Sequence, residues 1–356
     1  MKYCLLLLII FMQTKVMAQK KTISLQQLCN DMSATYRTDK GFVGIAIGII
    51  DGDSCYFVNY GNAQDSIEKK ISQYTKFQIG SVTKVFTGIA ITKLVDEGKL
   101  TLDDTYNSVV DAKYAFKSEL CDNITIKQLL THHSNLPKIP FNFNQKKRNE
   151  LDPFAYYLEA DLLQFLALYQ PISHDRIEFQ YTNINYALLG YVIASIAHTT
   201  AMQYIMSEII SPLALQNTAF QLHADTTVAA PHSYNGSPTN LWNFASMHTS
   251  GAMYSTTDDL LKLLSASWSI DIPYQKAWQP ISTTNIKEVR YASGWQTYFR
   301  GKREAPIVTH SGATEGHRCY IGFVPASKKG IVVLSNSSNS PDQVGIDILG
   351  VICEFK

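Results

Sequence analysis

Strand-like runs lie at both ends of this chain and helix-period runs fill its middle, an order that few folds can bury. Residues 42–50 read FVGIAIGII and lead into Asp51-Gly52, after which Cys55 to Tyr60 resumes a β-rich run. Two such runs around an Asp-Gly pair predict a hairpin. Toward the other end, Ala292–Tyr298, Pro306–His310, Arg318–Val324 and Gly330–Leu334 are short strand-like runs, the last two punctuated by Pro325 and Lys328-Lys329-Gly330. A final apolar segment, Val344–Phe355, reads as a closing helix. Between these ends Val82, Val85, Phe86, Ile89, Leu94 and Val95 recur at helical spacing until Gly98. Segments 126–130, 151–169, 186–197, 202–210 and 258–264 read as helices too, the last with Ser255-Thr256-Thr257 as its N-cap. The expectation is an α+β fold: one antiparallel β-sheet built from both chain termini and flanked by helices, with an inserted helical lobe. The sheet part takes about 19–110 and 285–356 and the lobe about 111–284, within a single domain over 19–356.

The first residues, MKYCLLLLIIFMQTKVMAQKK, give one Lys, an apolar run from Tyr3 to Met12 and Val16-Met17-Ala18 before Gln19. This pattern predicts a signal peptide over 1–18 and a secreted or periplasmic mature protein with no transmembrane anchor after cleavage, since the run falls short of the ~20 residues a span needs. A net charge of +1 gives no electrostatic footprint for nucleic acid. Beyond Cys4, the five cysteines Cys29, Cys55, Cys121, Cys319 and Cys353 match neither a disulfide framework nor a C-x-x-C metal site. The nine histidines include no H-E-x-x-H and one adjacent pair, His132-His133, whose side chains would point apart on a helix and read as structural. No metal and no cofactor is implied.

Three short elements carry chemistry. In FQIGSVTKVF at 77–86, Ser81 and Lys84 stand three apart at the start of the buried helical run, so the amine can reach the hydroxyl. A lysine held there is desolvated, which lowers its pKa and lets it accept a proton. The same spacing at Ser66–Lys69 lies in the polar stretch NAQDSIEKKIS, where the lysine is a solvated surface residue. In FQYTNINYALLG at 179–190, Tyr181 and Asn183 enter a helix. A phenol beside a lysine ammonium can have its pKa lowered enough to act as a general base, and Asn183 can hold both the lysine and a substrate amide. In VTHSGATEG at 308–316, His310-Ser311-Gly312 ends a strand whose glycine admits close backbone approach and whose free N–H could hold an acyl oxygen.

The order and setting of these elements resemble the serine β-lactamase and D,D-peptidase superfamily on its class C side. So do the flanks ITIKQLLTHHSNLP at 124–137, TSGAMYSTTDDLLKLL at 249–264 and YASGWQTY at 291–298, and the likeness spans Gly41 to Asn336. The resemblance implies that Ser81 is the acylated nucleophile, Lys84 its proton partner, Tyr181 a base and then an acid, and Asn183 the group orienting Lys84 and substrate. It implies an oxyanion hole from the backbone N–H groups of Ser81 and Ala313, with His310 where many relatives carry a lysine and Gly312 shaping the strand. Ser311, Glu315 and Arg318 complete the substrate-binding set.

The third element departs from the Lys-Thr-Gly of dedicated β-lactamases, whose cation helps hold a substrate carboxylate. His310 is only fractionally charged near neutral pH, and Glu315 would repel an anion. Arg318 either compensates for Glu315 or pairs with it. The implied activity is hydrolysis of a small-molecule or peptide substrate through an acyl-enzyme, on D-Ala-type peptides or β-lactams, with small esters as the alternative. A slow-acylating penicillin-binding protein is the third reading, and the absence of a G-x-S-x-G elbow excludes an α/β-hydrolase.

Overall fold

The N-terminal hairpin pairs strand β1 (Ile45–Asp51) with β2 (Ser54–Tyr60) through a two-residue turn, Asp51 facing Ser54. In the computed structural model, Gln27, Asp31 and residues 42–353 are described, apart from 65–67, 144–151, 172–177, 222–227, 270–272, 284–287 and 300–304. The expected signal peptide, Cys29, Ser66 and Leu151 lie outside the described residues, and the expected 151–169 helix is shorter, Glu159–Leu168, with 152–158 in turns and extended chain before it. Six further strands come from the C-terminal part: β3 (Ser282–Thr283), β4 (Val289–Tyr291), β5 (Gln296–Tyr298), β6 (Ile307–Ala313), β7 (Arg318–Val324) and β8 (Lys329–Ser335). They form one antiparallel sheet in the order β2-β1-β8-β7-β6-β5-β4-β3. The two chain ends meet where β1 pairs with β8, from Ile45 opposite Ser335 to Asp51 opposite Lys329. The sheet is therefore built from both termini, as the sequence predicts.

Of the expected strand over Ala292–Tyr298 only Gln296–Tyr298 is strand; residues 292–295 are the turn that joins it to β4. Gly294 adopts a φ of +79°, and the Ala292 N–H donates to the Trp295 carbonyl, so the chain reverses between β4 and β5. A positive φ at glycine is the ordinary way to turn a chain this tightly.

Side-chain alternation along the strands feeds two cores. On one face of β1, Ala46 and Ile50 join the larger core; on the other, Ile45, Ile47 and Ile49 meet Val344, Ile348, Leu349 and Ile352 of α4 (Asp342–Ile352). The larger core runs beneath α3 (Thr257–Trp268), which packs on β1 and β8, and into the helical part of the chain. Thr256 caps α3, its hydroxyl accepting from the Asp259 N–H. The centre of the molecule is α1 (Thr83–Asp96), packed between α2 (Asn183–Ala197) and the turn His248–Gly251. Its residues from Thr83 to Thr92 are all buried, polar positions included, so it is a core helix rather than an amphipathic one. Burial of a side chain such as Phe86 or Ile89 contributes about 1.5–3 kcal/mol. The expected 202–210 helix is a short α-turn, Ala201–Ile205, continued as a wider π-turn over Met206–Ile210. Among the described residues no helix is long and apolar enough to cross a membrane.

Candidate active site

Ser81 reaches its position because the chain is held on both sides before α1 begins. Phe77–Gln78 pairs with Tyr254–Ser255, and the Ile79 N–H donates to the Met253 carbonyl at 2.9 Å. Gly80 then takes a φ of +50° and opens a 3-10 turn, Gly80–Val82, so Ser81 lies one step before the α-helix rather than in it. The Ser81 hydroxyl does not cap this helix: the capping positions are Ile79 for the 3-10 turn and Val82 for α1, neither with a side-chain bond.

Lys84 is fully buried, and its Nζ donates to Ser81 Oγ at 2.9 Å, Asn183 Oδ1 at 2.8 Å and the Ser250 carbonyl at 2.7 Å. It lies 5.1 Å from the centre of the Tyr181 ring. Burial holds its pKa well below that of an ordinary lysine, because no carboxylate compensates the desolvated charge. A neutral amine keeps a lone pair, and in that state the Ser81 O–H can donate to it.

Tyr181 and Asn183 flank Thr182, the N-cap of α2, whose hydroxyl accepts from the Ile184 N–H and donates to the carbonyls of Pro137 and Lys138. Asn183 is the first residue of α2, which aims its side chain at Lys84. The Tyr181 hydroxyl is bonded to Ser81, yet burial pushes its pKa up to about 12. The expected lowering by a lysine ammonium is therefore reversed: Tyr181's own burial penalises the phenolate and outweighs the hydrogen bond to Ser81.

Strand β6 closes the other side. It pairs with β5 only from Ile307 to Thr309, so His310 to Ala313 extend past that neighbour and run along the Ser81 turn. The approach is close enough that a Cβ at Gly312 would lie 1.9 Å from the Ile79 carbonyl oxygen and 3.3 Å from the Ser81 nitrogen. A Cβ at Gly80 would meet the Ala313 nitrogen at 2.6 Å. The amides of Ser81 and Ala313 thus border one small space.

His310 is buried and donates through Nδ1 to the Ser311 carbonyl at 2.7 Å. Burial, with the Lys84 amine nearby, lowers its pKa to about 3, so it supplies no cation. Ser311 does not join the cluster: strand alternation turns it to the opposite face, where its hydroxyl donates to Asp342 Oδ2 at 3.0 Å in the first turn of α4. Glu315 lies in the turn after β6, its carbonyl accepting from the Ser338 hydroxyl. Arg318 forms no ion pair with Glu315 among the described residues: its Nε donates to the Ser338 carbonyl and its Nη2 contacts the Tyr234 hydroxyl.

His132, read from the sequence as structural, touches the site. It adopts a φ of +60° and is buried. Its carbonyl accepts from the Gln180 N–H, its Nδ1 accepts from the Thr182 N–H, and its ring lies 4.4 Å from that of Tyr181. It therefore braces the backbone on both sides of Tyr181. The Ser250 carbonyl was equally missed, since a backbone oxygen leaves no trace in sequence.

Known proteins place this geometry in context. Protein flp of Staphylococcus aureus (strain NCTC 8325 / PS 47) is 30% identical over 322 residues, 83% of this chain and 60% of that protein. Unguisins hydrolase ungD' of Aspergillus campestris (strain IBT 28561) is 24% identical over 328 residues, 85% of this chain and again 60% of that protein. The chain thus spans 60% of the length of these curated relatives. Among solved structures, a beta-lactamase/D-alanine carboxypeptidase from Pseudomonas syringae superposes with a TM-score of 0.80 at 19% identity, covering 93% of this chain and 99% of that one. D-alanine carboxypeptidase AmpC from Burkholderia cenocepacia gives 0.78 at 18%, covering 92% and 99%. At those identities the likeness is one of fold, the β-lactamase/transpeptidase-like architecture expected from the sequence. The Beta-lactamase family model matches residues 24–350, nearly the whole chain, and on that match the chain belongs to the Beta-lactamase family.

Proposed function

We propose that this protein is an exported serine hydrolase that cleaves an amide or ester bond through a Ser81 acyl-enzyme. The observation that carries the reading is the buried Lys84 amine, held well below its usual pKa and 2.9 Å from Ser81 Oγ. Neutral Lys84 accepts the Ser81 proton as Oγ bonds to the substrate carbonyl carbon, and the carbonyl π pair moves onto oxygen between the N–H groups of Ser81 and Ala313. Collapse breaks the bond to the amine or alkoxide leaving group, which takes a proton from the Tyr181 hydroxyl while Lys84 returns one to Tyr181. Water then attacks the acyl carbon by the same path in reverse and frees Ser81. A phenol pushed up to about 12 favours Lys84 as the first proton acceptor and Tyr181 as the donor.

The family's β-lactam and D-Ala peptide substrates carry a carboxylate, and the sequence reading favours them. The neutral His310, and a Ser311 hydroxyl donated to Asp342, favour the ester alternative or another uncharged substrate. Export rests on the leader-like residues 1–18. The test is intact-mass analysis after incubation with a penicillin, a D-Ala-D-Ala peptide and a nitrophenyl ester, beside Ser81→Ala. An adduct of acyl mass on the wild-type protein, absent from the variant, is expected; an adduct or turnover that persists in Ser81→Ala refutes the mechanism.

A further inference from the structure

A cavity of about 270 Å³ opens directly beside the reacting groups, with Tyr181 and Asn183 in its wall. Apart from Thr182 and Lys138 the rest of its lining is apolar: Ile139, Pro140, Phe143, Phe154, Trp242 and Met247 dominate it, and among its described lining residues only the exposed Lys138 is charged. The aromatic wall is packed, Phe154 lying 5.1 Å from Phe244 with rings nearly parallel and 5.5 Å from Trp242.

Both walls are fastened to the catalytic segments rather than to loops of their own. The Trp242 N–H donates to Gln78 Oε1 at 3.0 Å and the Gln78 Nε2 donates back to the Trp242 carbonyl at 2.7 Å. Gln78 is buried, and its chain leads straight into the Ser81 turn. Opposite, the Thr182 hydroxyl donates to the carbonyls of Pro137 and Lys138, which tie the start of the 138–143 wall to the residue between Tyr181 and Asn183. A wall held this way keeps its shape relative to the nucleophile, the condition for reading a substrate's shape.

We propose that this cavity is the specificity pocket of the site and that it takes a bulky, uncharged, apolar group, alkyl or aryl, next to the scissile bond. The inference rests on the serine hydrolase reading and narrows it to hydrophobic esters or amides. It agrees with the opposite side of the site, where neutral His310 and the Ser311–Asp342 bond offer no cation for a carboxylate.

Two nitrophenyl ester-type series test it, one lengthened on the acyl side from acetyl to octanoyl and one on the alcohol side. With the pocket filling, kcat/KM rises about fourfold per methylene in one of the series. Ile139→Asp at the rim, where the residue is 46% exposed and the fold is spared, lowers the long-to-short ratio at least tenfold. A flat dependence in both series, or a preference for a chain ending in carboxylate, overturns the proposal. Calorimetric titration of Ser81→Ala with acetamide, hexanamide and octanamide reads the pocket without turnover. Affinity that climbs with chain length supports the pocket, and chain-independent affinity overturns it. Should the esters be hydrolysed without dependence on Ser81, the hydrolase reading fails while the calorimetric series still decides the pocket.

Discussion

Gly312→Ala tests whether β6 and the nucleophile turn form a working pair. The new Cβ would lie 1.9 Å from the Ile79 carbonyl oxygen and 3.0 Å from its carbon. Both are backbone atoms and cannot rotate away. Ordinary carbon–oxygen contact needs more than 3 Å or so, so the strand and the turn must separate by about 1 Å or more. The Ser81–Lys84 bond lies within one turn of chain and survives such a shift, whereas the Ser81 and Ala313 amides sit on the two sides of the seam and move apart. A misplacement of about 1 Å at reacting groups costs on the order of 10²-fold, as does loss of one oxyanion donor. Overpacking adds about 1–3 kcal/mol of destabilisation. The assay is the pre-steady-state acylation rate with a nitrophenyl ester, read beside a urea denaturation curve. Gly350→Ala is the matched control, because nothing lies within 4 Å of a Cβ at that position. It leaves acylation untouched and gains helix propensity of up to about 1 kcal/mol. A folded Gly312→Ala protein that acylates at the wild-type rate refutes the assignment of β6 to the oxyanion site.

On the proposed mechanism Lys84→Met removes the proton acceptor, and the acylation rate should fall by about 10²–10⁴-fold, checked by burst kinetics. The buried amine binds fewer protons than the same lysine in the unfolded chain, so wild-type stability rises with pH from its lowered folded pKa to about 10.4; denaturation curves of Lys84→Met lack that increment. His310, at about 3 when folded against 6.5 unfolded, gives the same sign lower down. Between those values the unfolded state holds the extra proton, so stability is lost as pH falls from 6.5 toward 3. The limiting slope is about 1.4 kcal/mol per pH unit, and His310→Gln flattens it. His132→Ala leaves the Thr182 N–H without its acceptor and should lower kcat about tenfold. His132→Asn, which can accept the bond and tolerates a φ of +60°, keeps more of the rate; equal losses in the two variants would exclude the bracing role.

Much of the architecture is legible from local pattern. Arg318–Val324 is a strand with the expected bounds, Ile126–Leu130 is the expected helix, and Gly98 ends the α1 segment with a φ of +68°. Turn chemistry at Ser293-Gly294 was the signal for the extra reversal between β4 and β5, and alternation hid it because Ala292 and Trp295 read on through it as strand. Orientation was less legible than position. Ser311 stands one residue from His310, and only the pleat decides that its hydroxyl belongs to Asp342 on the far face.

Protonation lay furthest out of reach, because it is set by burial that no spacing encodes. Ser66–Lys69 and Ser81–Lys84 share one interval, yet Lys69 is exposed and Lys84 is sealed by groups 99 and 166 positions away, Asn183 and Ser250. An exposed lysine stays charged and is no base near neutral pH, however near a serine it stands. The same burial that lowers Lys84 raises Tyr181, because desolvation penalises whichever form carries the charge. The two groups therefore move apart, which on the proposed mechanism leaves an amine that accepts and a phenol that donates. Spacing supplies the reach of the pair; on the proposed mechanism the rest of the chain, by excluding water from it, divides the acid and base roles between Tyr181 and Lys84.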